Sequence, residues 1–382
     1  MTRVGGEWLS CAPTQAVLAM LAQAGHAAYA VGGCVRNALI DAPVADVDVA
    51  TSARPDTVVA LAKAAGLKPV PTGIDHGTVT VVAEGVGYEV TTFRADVETD
   101  GRRAVVRYSD DIAEDAARRD FTMNALYADA RGAVLDPLGG LPDLEARRVR
   151  FIRDAGERIR EDYLRILRFF RFHAWYGDPD AGVDEEALAG IATNLDGLAA
   201  LSAERVGHEI TRLLSAPDPA PSVAVMEQVG VLARVLPGAT SRMLAPLVAL
   251  EDAAALAPDP MRRLAVMGYF DARSLRLSKA RQRQLDTYQS LISASAGLAE
   301  VAYRHGAATA RDVAALRSAS LGQPLPEDLG AQIATGAGAK LPIRPQDLMP
   351  AFEGAALGNE LRARERRWIE SGFTLTKADL LK

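Results

Sequence analysis

The chain has 382 residues, enough for two or more domains with cores of their own. Hydrophobic residues make up 49% of it, but no stretch approaches the roughly 18 uninterrupted apolar residues of a membrane span. The net charge of −6 argues against a uniformly basic nucleic-acid coat, and Cys11 and Cys34 are too few for a disulfide framework or a zinc cluster. The opening MTRVGGEWLSCAPT lacks the apolar core of a signal peptide. These features predict a protein of the reducing cytoplasm.

Residues 13–25 are rich in Ala and Leu and predict a helix stopped by Gly25. Tyr29–Val31 predicts a short strand that runs into the pair Gly32-Gly33. Two residues without side chains let backbone N–H groups approach an anion, and Arg36, on the short helix that follows, adds a positive charge. A strand carrying Asp46 and Asp48 is predicted next. Alternate strand residues share a face, so the two carboxylates project together while Val47 and Val49 turn away. Such a pair repels unless a cation sits between, and hard ions that prefer oxygen ligands, Mg²⁺ above all, suit it. A glycine turn, an arginine and paired carboxylates together predict a metal-bound polyphosphate such as a nucleoside triphosphate. In isolation, Asp-Val-Asp is more often a solvent-facing pair; Arg36, the glycine pair and the later motifs reverse that balance.

Pro55–Ala65 predicts a helix, with Gly66 as its stop. Thr78–Ala83 and Tyr88–Phe93 predict a hairpin turned at Glu84-Gly85-Val86-Gly87. Glu89 would join the metal-binding carboxylates if its face meets the Asp46/Asp48 strand, and would otherwise be a strand-edge charge in solvent. Residues 95–117 are polar without sustained period and predict a mobile loop ending in a helix. Arg118–Tyr127, RRDFTMNALY, packs Arg119, Asp120 and Asn124 before an apolar segment. Arg119 suits a phosphate, and Asp120 and Asn124 suit a ribose hydroxyl or the orientation of Arg119. Asp120 as a simple helix cap is the alternative. A strand near Ala133–Asp136 and the turn DPLGG close this part of the chain.

Beyond about Pro142 strand signals nearly vanish, and Ala, Leu and Arg dominate between breaks at 177–179, 217–221, 237, 258–260 and 324–326. From Arg147 to Arg171 there are nine Arg against four acids, and Arg102, Arg103, Arg107, Arg118 and Arg119 precede them, so a phosphate-binding surface can be local on an acidic chain. EDYLRILR (161–168) predicts part of a long helix with Asp162 and Arg165 on one face, Arg168 one turn on, and Leu164, Leu167 and Phe170 toward the core. Such a pair also occurs as an ordinary surface ion pair. Cytosine and adenine offer an amine donor beside a ring-nitrogen acceptor; uracil and guanine offer the reverse. An accepting carboxylate beside a donating guanidinium therefore matches C and A and leaves U and G with unpaired polar groups.

GGCVR…DVDVAT, RRDFTMNA and EDYLRILRFFRF, in that order, resemble the class II tRNA nucleotidyltransferase and bacterial poly(A) polymerase family. LSAERVGHEITRLL (201–214), LRLSKA (275–280) and LGNELRARERRWIESGF (357–373) extend the resemblance over nearly the whole chain. It implies an α+β nucleotidyltransferase head with a small mixed or antiparallel sheet (1–140), an all-helical neck that reads the base (141–215), and a helical body and tail that bind tRNA (216–382). It implies that Asp46 and Asp48 bind Mg²⁺, that Gly32, Gly33 and Arg36 hold the triphosphate, and that Arg119, Asp120 and Asn124 hold ribose and phosphate. Asp162 and Arg165 would read the base with Arg168 nearby, and 95–117 would be the loop tied to the switch from C to A addition. Two departures stand out: Asn37 where many members have Asp, and 41–43 in place of Gly-Arg. Both are expected to alter local support rather than chemistry. The five His (26, 76, 173, 208, 305) include no His-Asp dipeptide, so the phosphohydrolase domain of some members is not expected. The implied activity is addition of C, C, then A to tRNA 3′ ends from CTP and ATP. A poly(A) polymerase, a partial CC- or A-adding enzyme and an idle RNA-binding module are the alternatives. Arg362, Arg364, Arg366 and Arg367 are candidate tRNA contacts or a solvated helix face.

Overall fold

A computed structural model describes residues 2–99 and 104–382, so Arg102 and Arg103 lie outside the described residues. The chain divides into two compact units, Met1–Val235 and Leu236–Lys382.

The first unit holds the strands. Among the described residues these are β1 (Ala28–Val31), β2 (Asp48–Thr51), β3 (Lys68–Gly73), β4 (Thr78–Ala83), β5 (Val86–Thr92), β6 (Arg94–Thr99), β7 (Ala104–Tyr108), β8 (Tyr127–Ala128) and β9 (Val134–Leu135). Seven form one mixed sheet in the order β3-β4-β5-β2-β1-β8-β9; only β2 and β5 run parallel. Inward positions alternate as a half-buried sheet requires, with Val79, Val81 and Ala83 buried on β4. The helix Ala12–Gln23 packs Val17, Leu18 and Leu21 into the core. On the other part of the sheet Val31, Ala50, Phe93, Ala125 and Tyr127 form a cluster, with Tyr29 stacked on Phe93 at 6.4 Å.

The α+β class and the helical remainder agree with the sequence reading, and two local expectations need correction. The hairpin turn is two residues, not four. Glu84 (φ 49°) and Gly85 (φ 82°) are both left-handed, which matches the twist of the flanking strands and lets Val86 pair with Ala83. The expected helix at the end of 95–117 is present at Ile112–Ala117, but the part before it is not a plain loop: among the described residues β6 and β7 pair antiparallel as a separate ribbon. The sequence reading marks nothing at Lys68–Gly73, which is an edge strand despite Pro69 and Pro71, since an edge position tolerates missing N–H donors.

After β9 the first unit is helical. The second unit is also helical, and its apolar interior holds a buried cluster of charges. Glu251, 1% exposed, accepts from Arg262 (2.8 Å) and Arg263 (2.7 Å), and Arg262 reaches on to Asp312. Trp368 packs with Ile343 and Leu380. On the helix Gly354–Glu370, Arg362, Arg366 and Arg367 face solvent, whereas Arg364 is tied to Glu360 and to the Leu380 carbonyl. No described helix is long and apolar enough to cross a membrane.

Candidate active site

A cleft of about 640 Å³ in the first unit is lined by Gly32, Gly33, Arg36, Asp48, Arg119, Asp120, Asn124, Asp162, Arg165 and Arg168. Ten of the twelve residues singled out from the sequence thus meet in one place; Asp46 and Glu89 stand beside it. β1 delivers the chain to Gly32, whose φ of 74° and ψ of −119° suit only glycine. A Cβ there would also stand 3.4 Å from the Arg119 guanidinium. The bend starts the helix Gly33–Leu39, whose first-turn N–H groups lack intrahelical partners.

Asp48 opens β2, but Asp46 lies just ahead of the strand, which corrects the expectation that one strand carries both. β1 ends at Val31, the partner of Asp48, and Gly32 then turns away, so the ladder has nothing to pair with Asp46. Glu89 does meet this strand. It sits directly opposite Asp48 in the parallel β2–β5 register. Crowding by protein atoms, then Glu89 and more weakly Asp46, raise the Asp48 pKa above the ordinary carboxylate value, against the pull of Arg119. Asp48 is therefore an anion short of positive charge, which is the condition a divalent cation relieves. Among the described residues no group of three or more His, Cys, Asp or Glu is arranged to hold a metal. Mg²⁺ nevertheless fits, because it commonly takes one or two carboxylates and completes its shell with water and substrate phosphate.

Around this pole the arginines are held by acids. Arg119 donates to Asp115 (3.1 Å) and Tyr127 (3.2 Å), while the Tyr127 hydroxyl and Arg118 also donate to Asp115 (2.7 and 2.8 Å). Arg168 pairs with Asp120, whose other oxygen accepts from Asn124 (2.9 Å). Asn124 in turn accepts from Arg36 at 2.5 Å, and the Arg36 guanidinium lies 3.8 Å from the Tyr176 ring centre. Burial lowers the Arg36 pKa; for Asp120 burial works upward, but Arg168 and Asn124 outweigh it and hold the carboxyl well below its usual range. Asn37 accepts from Arg36 (2.7 Å) and donates to the Pro43 carbonyl (2.8 Å), a donation that a carboxylate there could not make.

Asp162 and Arg165 do not share an unbroken helix, contrary to expectation. Asp162 is extended (φ −156°, ψ 105°) and separates the helices Ala155–Glu161 and Leu164–Tyr176. It accepts from the Leu164 N–H (3.1 Å), a local turn that leads into the second helix instead of continuing the first. Its neighbour Tyr163 lies against Gly197, where a Cβ would be 2.0 Å from the ring. Asp162 pairs with Arg205 (2.6 Å) and Arg165 with Glu161, so each has its own partner although both line the cleft. Leu164, Leu167 and Phe170 are buried as expected.

Several participants were not singled out: the buried Asp115 and Glu209, and Arg205, Arg171, Arg212, Phe172 and Tyr176. Arg171 lay within the counted basic run. Its partner Glu209 (2.6 Å) is 38 positions away, in the LSAERVGHEI stretch, and no local spacing links the two.

Comparison with known proteins adds to this picture. Residues 28–150 match the model "Poly A polymerase head domain", and residues 182–243 match "Probable RNA and SrmB- binding site of polymerase A". The chain is 41% identical over 224 residues to a CCA-adding enzyme of Geobacillus thermodenitrificans, covering 58% of this chain and 54% of that one. It is 39% identical over 273 residues to the CCA-adding enzyme of Leuconostoc citreum, covering 69% and 64%. Over these stretches the chain resembles the tRNA nucleotidyltransferase and poly(A) polymerase family. It spans about half the length of the curated relatives it matches. The solved Bacillus stearothermophilus CCA-adding enzyme in complex with CTP superposes with a TM-score of 0.71 at 27% identity, covering 94% of this chain and 92% of that one. The Thermotoga maritima CCA-adding enzyme complexed with tRNA shares the fold (TM-score 0.70, 17% identity, 100% and 98% covered). Nucleotidyltransferases of this kind generally use divalent metal ions.

Proposed function

We propose that this chain belongs to that family and adds C, C and then A to the 3′ end of tRNA, using CTP and ATP and releasing pyrophosphate. The observation that carries it is the opening of Asp48, crowded by Glu89, onto the same cleft as the Gly32-Gly33 turn and the Asp162/Arg165 pair. The likeness to enzymes named as CCA-adding supports it. We assign residues 1–140 to catalysis, 141–215 to base recognition and 216–382 to tRNA binding, and place the protein in the cytoplasm.

In this reading Asp46 and Asp48 hold Mg²⁺, and Glu89 keeps Asp48 electron-rich. Bound there, the ion supplies Lewis acidity toward the RNA 3′-hydroxyl and the α-phosphate. Gly32, Gly33 and Arg36 receive the triphosphate. Arg119, braced by Asp115 and Tyr127, faces phosphate, and Asp120 and Asn124 orient the ribose. Asp162 accepts from the exocyclic amine of C or A, and Arg165 donates to the adjoining ring nitrogen. Incubation of tRNA lacking its 3′ end with Mg²⁺ and labelled CTP and ATP tests the reading. Growth by three nucleotides is expected. Long ATP-only tails would mark a poly(A) polymerase, and no incorporation would mark an RNA-binding module.

Base choice has its own test. Arg165→Ala should either let UTP or GTP compete, lowering discrimination by about tenfold or more, or stop addition. Discrimination equal to that of the unaltered chain would remove Arg165 from base reading.

A further inference from the structure

Eight arginines and three aspartates line the cleft, an excess of cation on a chain of net charge −6. Most of that cation is already engaged. Asp115 holds Arg118 and Arg119, Glu161 holds Arg165, Asp120 holds Arg168, Glu209 holds Arg171, and Asn37 and Asn124 hold Arg36. Arg212 differs. Its side chain is exposed and, among the described residues, makes no ion pair or hydrogen bond, yet it lines the cleft with Gly32, Gly33 and Tyr176. It also stands close enough to Arg171 for the two charges to oppose each other.

The backbone that carries it is fixed. Arg212 lies in the last turn of the helix Ala203–Leu214, and the Trp175 indole N–H donates to its carbonyl at 2.8 Å. Trp175 is 40% exposed, so this bond joins two surface positions of neighbouring helices and does not belong to the core. A long cationic side chain on a pinned backbone, facing a cleft already too positive, is poised for a multiply charged anion.

We propose that Arg212 is a phosphate-binding residue of this cleft, contacting either the terminal phosphates of the incoming nucleotide or a backbone phosphate of the RNA end. The proposal rests on the reading of the cleft as a nucleotidyl-transfer site and adds a residue to it. Both sources offer the same chemistry to a guanidinium: planar, bidentate donation to phosphate oxygens.

Steady-state CTP incorporation into tRNA lacking its 3′ end, with Arg212→Ala and Arg212→Lys in the full chain, decides it. R212A is expected to raise one KM by about tenfold, the size of a lost charge-assisted contact, with kcat within about threefold. R212K should recover most of the loss. A rise in KM for CTP assigns the nucleotide tail, and a rise in KM for tRNA assigns the RNA phosphate. If R212A melts early, Arg212→Gln serves as the neutral variant. Both KM values within about twofold of the unaltered chain, in a variant of unchanged melting temperature, would overturn the proposal and leave the cleft reading intact. Failure of the unaltered chain to incorporate CTP would instead sink the cleft reading; there, loss of pyrophosphate binding in R212A still supports Arg212 and unchanged binding overturns it.

Discussion

Asp48→Asn should reduce nucleotide addition by at least about a hundredfold while leaving the fold as stable as before. Changing groups that merely support metal ligands costs about 10- to 100-fold, so losing a ligand should cost at least the upper end. The stability half follows from sign. Asp48 titrates above the ordinary carboxylate range because of burial and then Glu89. A carboxyl whose pKa is raised by folding works against the fold at neutral pH, and that penalty fades as pH falls through the raised value. Asparagine keeps the shape and removes the repulsion, so the melting temperature should stay level or rise. Activity assays and a thermal melt on one preparation check both halves. Near-normal CTP incorporation, or a marked drop in melting temperature, would count against Asp48 as an ion-holding group.

Asp115→Ala should have the opposite profile, with a large loss of stability. Asp115 is fully buried and accepts from Arg118, Arg119 and Tyr127. Removing one partner of a buried pair typically costs about 3–5 kcal/mol, because the remaining charge stays buried. Urea unfolding followed by aromatic fluorescence measures it, and a loss below about 1 kcal/mol would contradict the bracing role. The same residue sets an acid limit. Burial pushes its pKa up, but Arg119 and Arg118 more than reverse this; Asp120, through Arg168, and Glu161, through Arg165, are also lowered against burial. Stability from such groups is complete above the unfolded carboxylate values of about 4 and drains away as pH falls through the lowered ones. The unaltered protein should therefore hold its stability down to about pH 4 and lose it progressively below. Asp115→Ala should show a shallower loss there.

Sequence made the contents of the cleft legible better than its wiring. Gly32, Arg36, Asp48 and Asn124 lie in short runs whose residue types already imply a turn, a charge or an anion site. Glu209 bonds Arg171 across 38 positions and Arg205 bonds Asp162 across 43, distances at which only the folded packing brings partners together. Asp162 has helix formers for neighbours, but the Tyr163 ring on Gly197 and the Asp162 turn bond to the Leu164 N–H outweigh that propensity. The prolines of β3 hid a strand because an edge tolerates what a central strand does not.

The linkage from Glu209 through Arg168 to Asp120, Asn124 and Arg36, with Arg171 also held on Glu209, means that damage in this region should not sum. Once Asp120 is lost, Arg168 and Asn124 have already been released, and a second change at Arg36 finds less left to disturb. A thermodynamic cycle built from Asp120→Asn and Arg36→Lys should accordingly show an interaction energy of about 0.5–3 kcal/mol, whereas simple addition of the two effects would mean the links act independently.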